Sequence, residues 1–307
     1  MSGNERINSI GSWLKERFGE KVIKLSLDGG FTCPNRDGTK GRGGCVFCSA
    51  EGSGEMSSDI EGQIRLLSDK WPKAKKYIAY FQSHTSTYAP VDKLRQLYEG
   101  ALSAHIPQGE IVGLAVATRP DCLGDDVLDL LGELNRKTFL WVELGLQTIH
   151  GDHINRCYEL PVYDRAVREL TRRGIRIVTH LILGLPGESR AQMEESVRYV
   201  CSRPVFGLKL HILNVVRGSA LGRQQPPYVS FKSPKAYIDL VCDLLEIIPA
   251  GITIHRLNGD VPRRILMTPE WSYKKRTILN GIAQEMKRRG SCQGCNSSSE
   301  GPSRPSL

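Results

Sequence analysis

Three cysteines near the start of the chain have the residue type and spacing to bind a metal centre. Cys33, Cys45 and Cys48 lie in a glycine-rich stretch that reads GGFTCP and then GGCVFC. A tetrahedral structural zinc ion takes four protein ligands, and a four-iron cluster is usually held by four cysteines. Three thiolates would leave one iron with open positions, where a small molecule can bind and react. The loop therefore predicts a catalytic iron–sulfur centre.

A second pair of cysteines leaves a structural zinc site as an alternative. Cys292 and Cys295 have the same two-residue spacing as Cys45 and Cys48. Two such pairs can form a zinc ribbon, although this would leave Cys33 without a role. The later pair could also hold a second cluster, but in a serine-rich tail we expect it to bind nothing. The other four cysteines fall in or beside predicted helices and are expected to pack as small apolar side chains: Cys122, Cys157, Cys201 and Cys242.

The composition is that of an ordinary globular protein. The 307 residues are 40% hydrophobic and 24% charged, and 42 basic against 33 acidic residues give a net charge of +9. A basic excess favours polyanionic partners such as nucleic acid. Nine cysteines without an apolar leader predict a reducing compartment, and we expect the cytoplasm. No stretch reaches the ~18 apolar residues of a membrane span, so we expect no membrane association.

Strand-like and helical patterns alternate along most of the chain, which predicts parallel strands joined by helical crossovers. We therefore expect an α/β fold, a partial (β/α)6 TIM-type barrel with a C-terminal α/β extension. The predicted strands are 22–27, 77–82, 111–118, 139–144, 176–183 and 207–213, with a later one at 252–257. The predicted helices are 55–71, 91–105, 125–135, 163–173, 191–202, 233–247 and 271–289.

This pattern divides the chain into four segments. We expect an N-terminal helical segment at 1–20 and the partial barrel at 21–215, with the cysteine loop at 29–54. A C-terminal extension with a basic helix follows at 216–289. The last segment, 290–307, is rich in serine, glycine and proline and is expected to be disordered.

Polar residues follow the predicted strands repeatedly. In parallel barrels the reacting groups come from loops at the carboxyl ends of the strands. Glu143 is the most informative of these residues, because a carboxylate directly after an apolar strand is costly to bury without a partner. The others include QSHT at 82–85, TRPD at 118–121, Gln147, GLPGE at 184–188, Lys209, His211, His255 and Arg256.

The cysteine loop resembles that of the radical S-adenosylmethionine (SAM) enzymes. Their usual spacing is three and then two residues, whereas eleven residues separate Cys33 from Cys45 here. The longer gap is similar to the branch that contains the catalytic subunit of the Elongator complex, and most similar to the bacterial YhcC/YtqA group. The likeness runs from about residue 23 to the terminal helix. It is supported by the segments FQSHTSTYAP, ATRPD, VELGLQT, HLILGLPGE and HRLNGD.

The resemblance implies two cofactors and a set of contacts. Cys33, Cys45 and Cys48 would hold a [4Fe-4S] cluster, and SAM would chelate the fourth iron. The family cleaves SAM reductively to methionine and a 5′-deoxyadenosyl radical, which abstracts a hydrogen atom from the substrate. The implied SAM contacts are Phe47, Thr118, Glu143, Gln147, Gly184 and Leu185. Many relatives carry Gly-Gly-Glu after the second strand, where this chain has Gln82-Ser83-His84-Thr85.

The resemblance also implies a substrate. Relatives in the Elongator branch act on the wobble uridine of tRNA, so we expect a tRNA wobble-uridine side chain as substrate. Lys209, His211, His255 and Arg256 would line the substrate side, and a low-potential donor such as flavodoxin or ferredoxin would supply the electron. Basic clusters near the C-terminus could bind phosphates: 263–264, 274–276 and 287–289. A small metabolite, a protein substrate, or a zinc-containing RNA-binding protein without catalysis remain alternatives.

Overall fold

Seven parallel strands form one curled sheet, an open half-barrel, in the computed structural model, which describes residues 6–48, 59–150, 159–259 and 261–297. The sheet has the order β1-β2-β3-β4-β5-β6-β8, and β7 and β9 pair separately as a short antiparallel ribbon. The strands are β1 (Val22–Leu27), β2 (Lys76–Phe81), β3 (Glu110–Thr118), β4 (Phe139–Gln147), β5 (Arg176–Leu183), β6 (Gly207–Ile212), β7 (Val215–Val216), β8 (Thr253–Arg256) and β9 (Leu266–Thr268).

Eight α-helices are found in the part of the chain that the structure describes. They are α1 (Ile10–Phe18), α2 (Ile60–Ser68), α3 (Val91–Ser103), α4 (Asp125–Lys137), α5 (Leu160–Arg172), α6 (Arg190–Cys201), α7 (Pro234–Ile247) and α8 (Lys275–Arg289). The helix predicted over 55–71 is observed from Ile60 to Ser68, and residues 49–58 lie outside the described residues. The Ser233 side chain caps α7 as expected, by accepting from the backbone N–H of Ala236.

The partial barrel predicted from the sequence is confirmed, with one more strand than the six expected. The strand predicted at 252–257 is β8, which pairs in parallel with β6 and so extends the main sheet. Whether the chain divides into domains near residue 215 stays a prediction.

The strands alternate between an outer and an inner face. On β2, Tyr77, Ala79 and Phe81 pack outward against the layer of helices, whereas Ile78 and Tyr80 point into the barrel. This alternation follows from the two-residue period of a strand. Residues at inward positions near the carboxyl ends of the strands therefore line the interior of the barrel.

Helix α1 closes the barrel at the amino ends of the strands. Trp13 stacks on Phe139 with ring centroids 5.4 Å apart and meets Phe206 edge-on at 5.0 Å. The helix begins after Ser9, whose side chain accepts from the Ser12 N–H, and Gly19 follows it with a left-handed φ of 78°. The barrel thus has an apolar floor at the amino ends of its strands.

The start of the C-terminal tail is folded, which corrects the expectation that the chain is disordered from residue 290. Gln293 is buried, and its amide donates to the carbonyls of Pro249 (3.0 Å) and Ile252 (2.7 Å) while accepting from the Asn8 N–H (2.9 Å). A single glutamine that satisfies three buried backbone groups fixes this segment to the barrel floor. Residues 298–307 lie outside the described residues.

Candidate active site

The cysteine loop follows β1 and holds its three thiols half-buried in a series of tight turns. The carbonyl of Cys33 accepts from the N–H groups of Arg36 (2.8 Å) and Asp37 (3.2 Å), and the Cys45 carbonyl accepts from the Cys48 N–H (2.9 Å). Gly44 has a φ of 80°, and a Cβ there would lie 3.3 Å from the Cβ of Cys48. A side chain at this position would therefore be strained and would crowd the Cys48 thiol.

Each thiol has a polar donor beside it. The Asn35 amide lies 3.3 Å from Cys45 Sγ, the Arg36 guanidinium lies 3.3 Å from Cys48 Sγ, and Arg119 lies 3.9 Å from Cys33 Sγ. Donors of this kind stabilise thiolates and tune the potential of an iron–sulfur cluster. The donor set thus fits a group bound by three thiolates.

The geometry does not fit a single metal ion. Within the described ranges, no three His, Cys, Asp or Glu side chains converge on one ion. A four-iron cluster does not require such convergence, because each thiolate binds a different iron. A cluster on Cys33, Cys45 and Cys48 stays a prediction.

The zinc-ribbon alternative also requires two cysteine pairs to meet, and the fold keeps them apart. Gly294, next to Cys295, donates to the carbonyl of Leu245, and Gln293 lies under the start of β8, at the floor of the barrel. The cysteine loop follows the carboxyl end of β1, at the opposite edge of the sheet. Six-residue strands such as β1 span roughly 20 Å, so one ion cannot bind both pairs.

A cavity of about 360 Å³ occupies the barrel interior above the floor. It is lined by residues from all seven strands of the main sheet and the loops that follow them: Ser26, Tyr80, Gln82, His84, Ala117, Thr118, Arg119, Glu143, Gly145, Gln147, His180, Lys209, His211 and Arg256. A second cavity of about 260 Å³ shares Gln147, His180, His211 and Arg256 with it and reaches Phe47 and Leu213. The two cavities together connect the cysteine loop with the basic residues of β6 and β8.

Glu143 is fully buried and both of its carboxylate oxygens have partners. Trp141 Nε1 donates to Oε1 at 2.9 Å, and the Tyr80 hydroxyl donates to Oε2 at 2.5 Å. His180 Nε2 lies 2.9 Å from Oε2, and the Lys209 ammonium forms an ion pair with the same oxygen. The partner that a buried carboxylate needs is therefore supplied by the protein itself. A contact between Glu143 and SAM stays a prediction.

Burial and mutual repulsion set the protonation of this cluster. Burial by itself would raise the pKa of Glu143, but the charge of Lys209 and the hydrogen bond with His180 outweigh it and hold that pKa well below its ordinary value. Burial lowers the pKa of Lys209 to about 7, against the attraction of Glu143. Burial and Lys209 lower the pKa of His180 to about 4. At neutral pH the cluster thus contains one ionised carboxylate and neutral imidazoles.

Most of the predicted site residues lie around these two cavities. Thr118, Gln147, Lys209, His211 and Arg256 line them directly. His255 lies lower, against the rings of Trp141 (5.5 Å) and Phe206 (5.6 Å), and does not line either cavity. The structure therefore does not bring His255 together with the other residues predicted on the substrate side.

Phe47 and the segment predicted to border the adenine meet in an apolar cluster at the edge of the second cavity. Leu185 is buried there with Ile182 and Leu213, and Phe47 packs against them. Gly184 has a φ of 85°, and a Cβ on it would lie 2.6 Å from the Phe231 ring. These contacts place Phe47, Gly184 and Leu185 on one side of the site, although their role in SAM binding stays a prediction.

Three inward residues of the cluster were not among the predicted site residues. Lys24, Tyr80 and His180 belong to the strands β1, β2 and β5, at inward-facing positions. Lys24 lies 5.5 Å from the centroid of the Tyr80 ring, and burial lowers its pKa. His180 does belong to the polar residues noted on the predicted strands. A polar residue that recurs at inward positions of successive strands is the signal that could have found Lys24 and Tyr80 as well.

The basic clusters predicted near the C-terminus differ in their surroundings. Arg289 is ion-paired with Glu285 (2.8 Å) and Asp243 (2.6 Å), and Arg288 is ion-paired with Glu285. In contrast, the guanidinium of Arg263 lies 4.6 Å from the ring of Tyr273, which is 39% exposed, and the Lys274 ammonium lies 5.9 Å from it. The cations at 288–289 therefore support the fold, while those around Tyr273 face solvent.

Two family models match consecutive parts of the chain. The model described as the Radical SAM superfamily matches residues 35–200, which is more than half of the chain, and the model described as the Radical_SAM C-terminal domain matches residues 205–288. The chain belongs to the radical SAM superfamily. The prediction of an iron–sulfur cluster and SAM as cofactors is confirmed at the level of this family.

Relatives of this radical SAM protein cover nearly its whole length. The chain is 44% identical over 302 residues to the uncharacterized protein YtqA of Bacillus subtilis, covering 94% of this chain and 92% of YtqA. It is 38% identical over 298 residues to protein YhcC of Escherichia coli (strain K12), covering 94% of this chain and 95% of YhcC. The predicted likeness to the YhcC/YtqA group is thereby confirmed.

A solved structure shares the fold of this radical SAM protein. The archaeal Methanocaldococcus infernus Elp3 with an N-terminal deletion superposes with a TM-score of 0.65 at 16% identity, covering 88% of this chain and 64% of that chain. At this identity the likeness concerns the fold alone. No helix in the described part of the protein has the length and apolar character needed to cross a bilayer.

Proposed function

We propose that Cys33, Cys45 and Cys48 hold the cluster of this radical SAM enzyme and that the adjoining cavities take SAM and substrate. The observation that carries this proposal is the position of the three half-buried thiols, each beside a polar donor, at the open end of a barrel closed by α1. When bound, the cluster and SAM supply a 5′-deoxyadenosyl radical, which abstracts a hydrogen atom from the substrate.

In this proposal the chain's own residues bind and orient SAM and the substrate and shield them from water. The apolar floor around Trp13 keeps water out of the barrel from below, which protects a reactive species from side reactions. Phe47 and Leu213 offer an apolar surface to an adenine ring, and Thr118 and Gln147 offer hydrogen-bonding groups on the neighbouring wall. The Glu143 cluster keeps the Lys209 side chain in a fixed position beside the cavity.

The experiment is anaerobic reconstitution with iron and sulfide, followed by reduction in the presence of SAM and measurement of 5′-deoxyadenosine. We expect the wild-type protein to be brown and to cleave SAM slowly, and Cys48→Ala to lose both properties. A colourless protein with stoichiometric zinc, or unchanged cleavage after replacement of all three cysteines by alanine, would contradict the proposal. Cys292→Ala should leave the yield of 5′-deoxyadenosine unaltered. This control would show that the loss in Cys48→Ala comes from the site and not from a general effect of removing a cysteine.

We further propose that the substrate is a tRNA wobble-uridine side chain, of the carboxymethylaminomethyl type. Two features support this: the fold likeness to Elp3, and an exposed tyrosine, Tyr273, with Arg263 and Lys274 beside its ring. An exposed ring flanked by cations suits an unpaired base and its phosphates, since base–aromatic stacking contributes about 1–3 kcal/mol. The cytoplasm and a donor such as flavodoxin or ferredoxin remain predictions that accompany this proposal.

Nucleoside mass spectrometry of tRNA from a deletion strain tests the substrate. We expect one wobble-uridine derivative to decrease and its precursor to accumulate, and complementation with Cys48→Ala to leave the defect in place. An unchanged modification profile would exclude this substrate. Binding of tRNA by the purified protein should fall steeply with salt, because released counterions drive phosphate contacts, whereas binding of a small metabolite should not.

A further inference from the structure

More basic than acidic side chains face the described interior of the barrel. Among the described residues, Lys24, Lys209 and Arg256 lie at the centre of the barrel, and Glu143 is the carboxylate that faces them. The cations repel one another, since Arg256 lowers the pKa of both Lys24 and Lys209. Placing like charges together in a partly buried cavity is costly unless a counter-charge joins them.

Glu143 is not free to serve as the counter-charge for all three cations. Its Oε2 atom already meets Lys209, His180 and the Tyr80 hydroxyl, and its Oε1 atom accepts from Trp141. Lys209 is thus neutralised within the protein. The same holds at the upper wall of the cavity, where Arg119 is paired with Asp121 at 2.6 Å.

Arg256 and His211 line one wall of the cavity, and the described part of the chain offers neither of them a counter-charge. No carboxylate within the described ranges pairs with the half-buried guanidinium of Arg256, which lines both cavities. His211 Nε2 is a buried atom with no hydrogen-bond partner among the described residues, and its ring lies 5.2 Å from that of His180. The two side chains line the same two cavities, and Lys209, two residues before His211 on β6, pairs with Arg256 on β8.

We propose that Arg256 and His211 form a subsite for a negatively charged group, a carboxylate or a phosphate, on the substrate that reacts in this cavity. The guanidinium offers a planar pair of N–H donors that matches such a group, and the His211 imidazole can add a third hydrogen bond from its unpartnered Nε2. The subsite rests on the proposed function and narrows it: the reacting part of the substrate is anionic. A carboxymethyl-bearing uridine would satisfy this requirement.

Anion binding to the reconstituted full-length protein tests the subsite without relying on turnover. We would saturate the protein with SAM, so that the carboxylate of SAM cannot compete, and titrate acetate, inorganic phosphate and neutral acetamide by calorimetry. At least one of the two anions should bind, and acetamide should not. The anion that binds more tightly, acetate or phosphate, then shows whether the subsite takes a carboxylate or a phosphate group. Equal binding of acetate and acetamide, or no binding of either anion, would overturn the proposal.

Matched variants locate the binding. Arg256→Gln should weaken anion binding at least tenfold, about 1.4 kcal/mol, and Arg256→Lys should weaken it less because the charge is kept. Arg136→Gln changes the net charge equally on an exposed turn of α4 and should have no effect. If Arg256→Gln fails to fold, His211→Phe removes the third donor and should also weaken binding. Equal effects of Arg136→Gln and Arg256→Gln would show surface binding and refute the subsite.

This outcome is separable from that of the proposed function. A protein that cleaves SAM and alters tRNA but does not bind either anion would refute the subsite alone. A protein that binds the anion through Arg256 but forms no 5′-deoxyadenosine would refute the proposed chemistry while leaving the subsite in place.

Discussion

At the scale of single residues, Glu143 is the centre of the barrel's polar interior. It is fully buried, and it holds Lys209, Tyr80, His180 and Trp141 around two oxygen atoms. Removing one partner of a buried ion pair is costly, because the other charge remains buried without compensation. Glu143 therefore contributes to the stability of the fold whatever its role toward SAM.

Replacing Glu143 by glutamine should lower the free energy of unfolding by about 3 kcal/mol, because Lys209 loses its counter-charge. Urea denaturation monitored by circular dichroism measures the loss. Glu194→Gln is the matched control: it breaks a solvent-exposed pair with Arg198 on α6, and such pairs contribute about 0.5 kcal/mol. Equal, small losses in both variants would show that the buried pair is not stabilising.

Glu188, in the loop after β5, should give the stability of the protein a dependence on pH. Burial raises the pKa of its carboxyl to about 7, against the hydrogen bond from Thr148 (2.5 Å), and its Oε2 atom has no partner in the described part of the chain. The folded state therefore binds the proton more tightly than the unfolded state. This contribution is complete below the unfolded pKa, near 4.5, and is lost as the pH rises through 7.

Unfolding measured at pH 5.5 and pH 7.5, about one and a half units below and half a unit above the folded pKa, tests this dependence. We expect the wild-type protein to lose more stability over this interval than Glu188→Gln, in which the group cannot ionise. Glu194→Gln, on α6, whose ion-pair partner is an arginine rather than a histidine, controls for the removal of one acidic residue. A wild-type slope no steeper than that of Glu188→Gln would contradict the shifted pKa.

At the scale of elements, the cysteine loop is supported by residues far away in the sequence. The Leu221 N–H donates to the carbonyl of Val46 at 3.2 Å, and Val46 and Phe47 pack against Leu213, Val215 and Leu221. The segment after β6 thus holds the part of the loop that carries Cys45 and Cys48. The two elements lie next to each other only because the sheet curls.

Leu221→Ala should reduce iron binding. The substitution leaves a cavity beneath Val46 and Phe47 and lowers stability by about 2–5 kcal/mol, and the loop loses its support. Iron per chain after anaerobic reconstitution and gel filtration measures the effect. Leu128→Ala, in the buried core of α4, should cost similar stability while leaving iron binding intact. If both variants lose iron equally, general instability explains the result and the specific support is refuted.

The sequence predicts elements well where the pattern is local. The bounds of β1 and β5 were predicted without error, because each is a short apolar run between turn-forming residues. The assignment of β8 to the main sheet was not predicted, because its pairing with β6 joins segments that are distant in the sequence and leaves no local signal. His84 and Gln147, which line the cavity with φ values of 57° and 70°, were not predicted to be left-handed because neither is a glycine.

The site was predicted in part for the same reason. The loop motif singled out the three cysteines, whose role as cluster ligands stays a prediction, and the strand ends singled out Lys209, His211 and Arg256, which line the cavity. The pairing of Tyr80 with Glu143, 63 residues apart, depends on tertiary contact and has no local signal. His255 was predicted on the substrate side, but the register between β6 and β8 shifts at this point, so that Lys209 pairs with Arg256 and His255 is passed over.

At the scale of the whole molecule, the two ends of the barrel have different tasks. The carboxyl ends of the strands carry the cysteine loop and the cavities, whereas the floor carries α1 and the ordered start of the tail. Gln293 joins the segment before α1, the loop before β8 and the tail through its side chain. Its neighbours Cys292 and Cys295 are exposed at this floor and far from the site.

The double variant Cys292→Ser/Cys295→Ser should therefore bind as much iron per chain as the wild-type protein and cleave SAM at the same rate. Serine keeps the size and the turn, in which the Cys295 N–H donates to the Cys292 carbonyl at 3.2 Å, so the docking of Gln293 should be retained. Cys45→Ser, which changes one thiol at the other end of the barrel, should lose the cluster. A loss of about four irons from the double variant would contradict this division of the molecule, because it would show a second cluster at the floor.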